Sequence, residues 1–276
     1  VVVDEKQKPG QLPVISAERI SVQIPSGKML VDDVSVSIKP NVLTAIIGKN
    51  GAGKSTALKA ICGDISLTSG SVRFNGKSKA EFSALEIAKK RAIVSQKSSL
   101  DFEFTVKEVV ALGRNPFSGF FSSQKDDEIV EQCLEKVDAL HLLDRNYTTL
   151  SGGEQQRIHF ARALAQIWDL IEKGEPSYLL LDEPLSNLDV AHQHEMMHVL
   201  KQLCEKNVAV LIILHDLNLA AQYADHVHIL KDGKTAAEGA PFDVFTEKII
   251  FDAFDHPVSV VPHPKIHCPL IIASGI

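Results

Sequence analysis

The chain has 276 residues, of which 45% are hydrophobic and 23% charged, a balance that excludes disordered and fibrous classes and supplies enough apolar residues for a full buried core. Its net charge of −6 and pI near 6.0 argue against a surface dominated by nucleic-acid binding, and apolar runs such as 208–214 are far shorter than the ~20 residues of a membrane-crossing helix. Cys62, Cys133, Cys204 and Cys268 are widely spaced with no CxxC pair, so they read as reduced thiols, and residues 1–10 lack the basic and long apolar regions of a secretory signal, which points to cytosolic residence.

Between Arg19 and Ser37 short apolar runs are interrupted by Pro25-Ser26-Gly27, which predicts antiparallel strands joined by a turn. Residues 42–47 form an apolar run without alternation, the pattern of a strand buried on both faces, and it runs into a glycine-rich turn with a helix expected from about Gly53. Strands are expected again at 71–75 and at 91–95, the latter ending at Gln96. From Thr105 to Leu150 the spacing of Val106, Val109, Val110 and Leu112, then Ile129, Cys133, Leu134 and Val137, is helical and predicts an inserted helical subdomain.

A helix over 153–171, a strand over 178–181, a helix over 190–205 and a strand over 208–214 follow, and this alternation implies a parallel sheet with crossover helices. Lys231-Asp232-Gly233-Lys234 between two short apolar runs reads as a tight hairpin turn.

Gly48-Lys49-Asn50-Gly51-Ala52-Gly53-Lys54-Ser55, followed by Thr56, fits the phosphate-loop pattern in its required setting, after a buried strand and at the start of a helix. The glycines let backbone N–H groups turn towards phosphates, Lys54 is placed to reach the β- and γ-phosphates, and Ser55 to ligate Mg²⁺. Residues 178–183 read as a buried strand ending in two carboxylates. Beside a phosphate loop, Asp182 can hold Mg²⁺ through its water shell and Glu183 can orient and deprotonate an attacking water. Ser151 is a favourable helix N-cap, and with Gly152, Gly153 and Glu154 behind it this helix start is a second anion site.

The stretch Leu150-Ser151-Gly152-Gly153-Glu154-Gln155 resembles the signature of the ATP-binding-cassette family. The resemblance implies an α/β P-loop NTPase fold, a RecA-like parallel core with an antiparallel β-layer and an inserted α-helical subdomain. It implies one domain over 12–276, with 12–96 and 151–276 as the catalytic core and β-layer, 97–150 as the helical subdomain and 1–11 as an N-terminal extension. Gln96 resembles the Q-loop glutamine, a contact to Mg²⁺ and water that senses a membrane partner, and His215 resembles the switch histidine, so both join Glu183 as expected catalytic residues. Residues 186–189 resemble the D-loop. At the adenine-stacking position, where many cassettes have an aromatic residue, this chain has Ile24, which would give apolar packing without stacking.

The family resemblance also implies that two half-sites complete each other across a head-to-tail homodimer, the signature residues 151–154 of one copy closing on the ATP held by the other. Residues 95–100, 104–106 and 109–114 are similar to importers of iron chelates, cobalamin and haem. An insertion at 167–175 with Trp168, together with Ala191-His192-Gln193-His194 and the segment from His263 to Leu270, resembles the haem-importing members. The cofactors implied are ATP and Mg²⁺. The partners implied are two membrane-spanning permease subunits and a periplasmic substrate-binding protein, with the chain peripheral on the cytoplasmic face of the bacterial inner membrane. Siderophore or cobalamin import and a permease-free ATPase are the alternatives. No direct haem contact is expected, and His194 with His198, four residues apart on one helix face, reads as structural more readily than as a metal site.

Overall fold

The computed structural model describes residues 14–96, 103–117 and 123–275. Its centre is a six-stranded sheet in the order β10-β9-β3-β8-β7-β6, built from β3 (Leu43–Ile47), β6 (Arg91–Val94), β7 (Ser177–Asp182), β8 (Val208–Ile213), β9 (His226–Lys231) and β10 (Lys234–Gly239). The strands are parallel except β10, which pairs antiparallel with β9 at one edge. Every residue of β3, β7 and β8 is buried, and for this reason their sequences run apolar without alternation.

The period of two survives in what each side chain meets. Leu43, Ala45, Leu179, Leu181, Val210 and Ile212 face the larger core, while Ile46, Leu180, Leu211 and Ile213 face the smaller one. The larger core is covered by α5 (Gly152–Lys173) and α6 (Val190–Glu205). The smaller lies beneath α1 (Lys54–Cys62) and a four-stranded antiparallel sheet in the order β2-β1-β4-β5, formed by β1 (Ile15–Gln23), β2 (Met29–Ile38), β4 (Ser69–Phe74) and β5 (Lys77–Ser78). The expected β-layer and parallel core are both present, as the P-loop fold requires.

Around these lie α2 (Ala84–Lys90), α3 (Val106–Ala111), α4 (Gln124–Lys136), α7 (Leu217–Tyr223), α8 (Pro241–Val244) and α9 (Glu247–Phe254), and a hairpin of β11 (Val258–Pro262) and β12 (Pro269–Ala273). The tail from His256 onward therefore contains a paired ribbon, with Cys268 buried in the connection just before β12. The stretch 167–175, expected as an insertion, is the last part of α5 and its stop: Gly174, at φ 64°, ends the helix and donates to Ile171 O. Trp168 Nε1 from this stretch donates to Gln132 Oε1 of α4 at 3.0 Å.

Helices α3 and α4 pack on α5, so the helical part and the core share one wall. Arg114 fixes the joint. Its guanidinium is almost fully buried, donating to Asp126 Oδ1 at 2.8 Å, Ala165 O at 2.7 Å and Asp169 Oδ2 at 2.6 Å. Burial disfavours the charged form of both aspartates, yet the bonds from Arg114, joined by Ser123 at Asp126 and by Lys125 at Asp169, outweigh it and hold both carboxyls below their ordinary value. Among the described residues, no helix is long and apolar enough to cross a membrane.

Candidate active site

Three segments meet at the end of β3. The phosphate loop leaves the strand at Gly48, where a Cβ would fall 2.3 Å from the carbonyl oxygen of Leu230, so only glycine fits against β9. Gly53, at φ 98°, is the N-cap of α1 and is pressed equally closely on Leu30 O. The Lys231–Lys234 turn backs the loop: Asp232 and Gly233 have positive φ, as a type I′ hairpin demands. Gly233 N donates to Ala52 O at 3.0 Å and Gly233 O accepts from Asp32 N at 2.8 Å, tying the loop to the antiparallel sheet.

Lys54 is buried and curls across its own loop, donating to Gly48 O at 2.9 Å and Lys49 O at 3.1 Å. Burial lowers its pKa, against the attraction of Glu183 and Asp182. Lys49 turns outward to Asp255, 2.6 Å away, so its backbone and not its ammonium faces the loop's interior. Asn50 is exposed, Ala52 is buried, and Thr56 is half-buried on the first turn of α1.

The parallel register brings the catalytic candidates into a row. Val94 pairs with Leu181, and Asp182 with Ile213, so Gln96, Glu183 and His215 all lie just beyond the carboxyl ends of three adjacent strands. Ser55 Oγ donates to Asp182 Oδ1 at 2.9 Å. Asp182 is buried, and desolvation raises its pKa even though Ser55 stabilises the anion; the neighbouring Glu183 raises it further. A hydroxyl beside a buried carboxylate is an oxygen pair of the kind Mg²⁺ takes.

Glu183 has φ 53°, a left-handed conformation that turns it out of the strand direction. Its two oxygens are held separately: His215 Nε2 lies 2.6 Å from Oε1, and Gln96 Nε2 donates to Oε2 at 2.5 Å. The carboxylate is thereby fixed in orientation next to the phosphate loop, as a base that must line up one water requires.

The signature residues are placed elsewhere. Ser151 caps α5 by accepting from Glu154 N at 3.3 Å, and Glu154 Oε2 accepts in return from Ser151 N at 2.7 Å. This leaves the N–H groups of Gly152 and Gly153 at the open end of the helix. Residues 151–154 line a cleft of about 470 Å³ together with Arg157, Asn187, Asp189 and His192, and none of them lines the cavity beside Glu183 and His215. The structure therefore brings together the loop, Asp182, Glu183, Gln96 and His215, and does not bring residues 151–154 to them within one chain.

Ile24 is 36% exposed in the turn between β1 and β2, where its N–H donates to Lys28 O. Arg157 is a cleft residue that no motif in the sequence marks. It lines the signature cleft on α5 while its guanidinium donates to Asp138 O at 2.6 Å. His194 and His198 face each other across the Tyr223 hydroxyl, at 2.8 and 3.2 Å, which accounts for their pairing without a metal. Of the stretches resembling chelate importers, 97–100 lies outside the described residues.

The sequence profile of the ABC transporter family matches residues 31–186. The chain is 43% identical to the hemin import ATP-binding protein HmuV of Gloeobacter violaceus over 262 residues, covering 95% of this chain and 94% of that protein. It is 41% identical to the protein of the same name from Aliivibrio fischeri over 260 residues, 94% of this chain and 97% of that one. In three dimensions it is similar to the dimeric structure of MJ0796, a bacterial ABC transporter cassette, with a TM-score of 0.72 and 27% identity over 82% of this chain and 98% of that one. Phosphate loop, strand order and likeness across most of the length agree, and the chain belongs to the ABC transporter family as one of its ATP-binding, ATP-hydrolysing cassettes.

Proposed function

We propose that this chain is the ATPase subunit of a bacterial haem importer, acting as a head-to-tail pair beneath two membrane-spanning permease subunits that receive haem from a periplasmic binding protein. The observation that carries the hydrolytic part is the Glu183 carboxylate, gripped on one oxygen by Gln96 and on the other by His215. The cargo rests on relatives named for hemin import that match nearly end to end.

The loop amides of residues 48–53 and the Lys54 ammonium bind the phosphates, while Ile24 packs apolar surface against the base. Ser55 and Asp182 would hold Mg²⁺, which would supply positive charge to offset the negative charge of the phosphates. Glu183 receives a proton from the attacking water. His215 steadies the carboxylate and Gln96 links it to the helical part of the chain. Ser151, Gly152 and Gly153 of a second copy supply the remaining phosphate contacts, with Glu154 holding the Ser151 cap in place, because within one chain these residues line a separate cleft. The division into a core (12–96 and 151–276) and a helical subdomain (97–150) fits this reading, with α5 carrying motion between them. Its place is the cytoplasmic face of the inner membrane, reached through the permease.

The test is reconstitution with the permease in vesicles supplied in turn with haem, a ferric siderophore and cobalamin. ATP hydrolysis coupled to haem uptake alone is expected; coupling to either of the others would reassign the cargo and leave the ATPase reading intact.

A further inference from the structure

A second cluster of chemically capable side chains lies outside the nucleotide site. His226 and His228 alternate on one face of β9, their rings 4.8 Å apart, and strand register sets Glu238 of β10 directly opposite His228. One ligand atom from each of the three lies within 4.8 Å of the other two. Thr44 of β3 is opposite His226 and so presents its side chain to the same face.

His228 is 2% exposed, and neither of its ring nitrogens makes a hydrogen bond. Its Nδ1 is 3.1 Å from Glu238 Oε2 but misaligned for one. The Thr44 hydroxyl is likewise buried and unpartnered. Two orphaned polar groups on one face of adjacent strands are costly unless something occupies the space between them. Burial, and then the neighbouring His226, push the His228 imidazole down to about 4.

We propose that His226, His228 and Glu238 form a binding site for a divalent transition-metal ion of the zinc type, with a water in the fourth position on the side of Thr44. Two imidazoles and one carboxylate form a donor set too soft for Mg²⁺ or Ca²⁺ and suited to Zn²⁺. The ion would clamp β9 to β10 from the side. These strands bear on the nucleotide site through Leu230, whose carbonyl abuts Gly48, and through Gly233, which bonds Ala52. The site would thus stiffen the support of the phosphate loop without touching the nucleotide.

The probe is Co²⁺, titrated into the full chain after chelator treatment. One Co²⁺ per chain with the intense visible absorption of a low-coordinate site is expected, displaced by Zn²⁺ and accompanied by a rise in Tm. His226→Ala and Glu238→Gln, at positions that are not fully buried, should each weaken binding at least tenfold, while His263→Ala leaves it unchanged. Absorption that persists in the His226→Ala, Glu238→Gln double variant, or that never develops in the parent, overturns the proposal. Zinc X-ray absorption of the unaltered chain reads the site without relying on variants: two imidazole ligands support it, and a shell of oxygen alone refutes it.

Discussion

Ser55 and Asp182, 127 positions apart in the chain, are joined by a single hydrogen bond of 2.9 Å. It links the first turn of α1 to the end of β7 and sets two oxygens side by side where the metal of a bound nucleotide would sit. Ser55→Ala removes one ligand and leaves a buried carboxylate oxygen without its donor. The expected result is a loss of about 1–3 kcal/mol in unfolding free energy and a much smaller gain in ATP affinity on adding Mg²⁺, measured by nucleotide titration with and without chelator. An unchanged Mg²⁺ dependence would remove Ser55 from the metal site.

Glu183→Gln keeps the shape of the side chain and its contacts to Gln96 and His215 but removes the base. Turnover should fall by about 10²–10⁴-fold while ATP binding survives. Single-turnover hydrolysis measures this, and a rate within a few-fold of the parent would show that the proton goes elsewhere.

Because Gln96 and His215 grip the same carboxylate, their losses should not add. Either alanine variant alone should cost most of what the double variant costs. Independent, multiplicative effects on kcat would mean that the two act on different groups.

At Gly153 a Cβ would stand 2.9 Å from Asn187 O, and an aspartate would also place negative charge where a partner's phosphate is proposed to dock. In the Glu183→Gln background, Gly153→Asp should leave nucleotide affinity of the single chain within about twofold and abolish ATP-dependent dimerisation, since the new carboxylate would occupy the helix-end N–H groups and repel the phosphate they would otherwise take. Sedimentation with and without ATP decides it; a dimer of undiminished affinity would place the signature outside the interface.

Arg114 is the stability counterpart. Arg114→Ala strands two buried carboxylates and should cost about 3–5 kcal/mol, and Arg114→Lys should recover only part of it, because an ammonium lacks the fork that reaches Asp126, Ala165 and Asp169 together. Both aspartates are held below their unfolded value of 3.8. Their stabilisation is therefore complete above that value and is lost as the pH falls through the lower folded ones. Denaturant midpoints measured on acidification should drop more steeply for the parent than for Arg114→Ala; parallel curves would mean that the cluster does not contribute.

The parts of this fold that could be read from sequence are those where one local signal suffices. The runs at β3, β7 and β8 are apolar because both faces are covered, and Ser151 with Glu154 announces a capping box. Helices α7, α8 and α9 went unread: their seven, four and eight residues give a helical period little room to show, although Thr246 before Glu247 is a usable N-cap signal. The stretch 167–175 reads as an insertion from its resemblance to haem-importing members, and most of it continues α5 to Lys173. Within the site, the identities of Lys54, Asp182 and Glu183 followed from motifs, whereas the grip of Gln96 and His215 on Glu183 depends on the register of β6, β7 and β8, which no single segment encodes. The support of the loop by Gly233 was hidden for the same reason: it is a contact between turns far apart in sequence.

The left-handed backbone at Glu183 has an evolutionary reading. A side chain with a Cβ costs about 1–2 kcal/mol in that conformation, a penalty that asparagine bears more easily. Glutamate is thus a poor choice for folding at position 183 and a good one only for a residue that must turn its carboxylate sideways towards a reacting water. A gene copy released from the need to hydrolyse ATP would be free to drift to asparagine there, and its product should withstand heat better than the working enzyme.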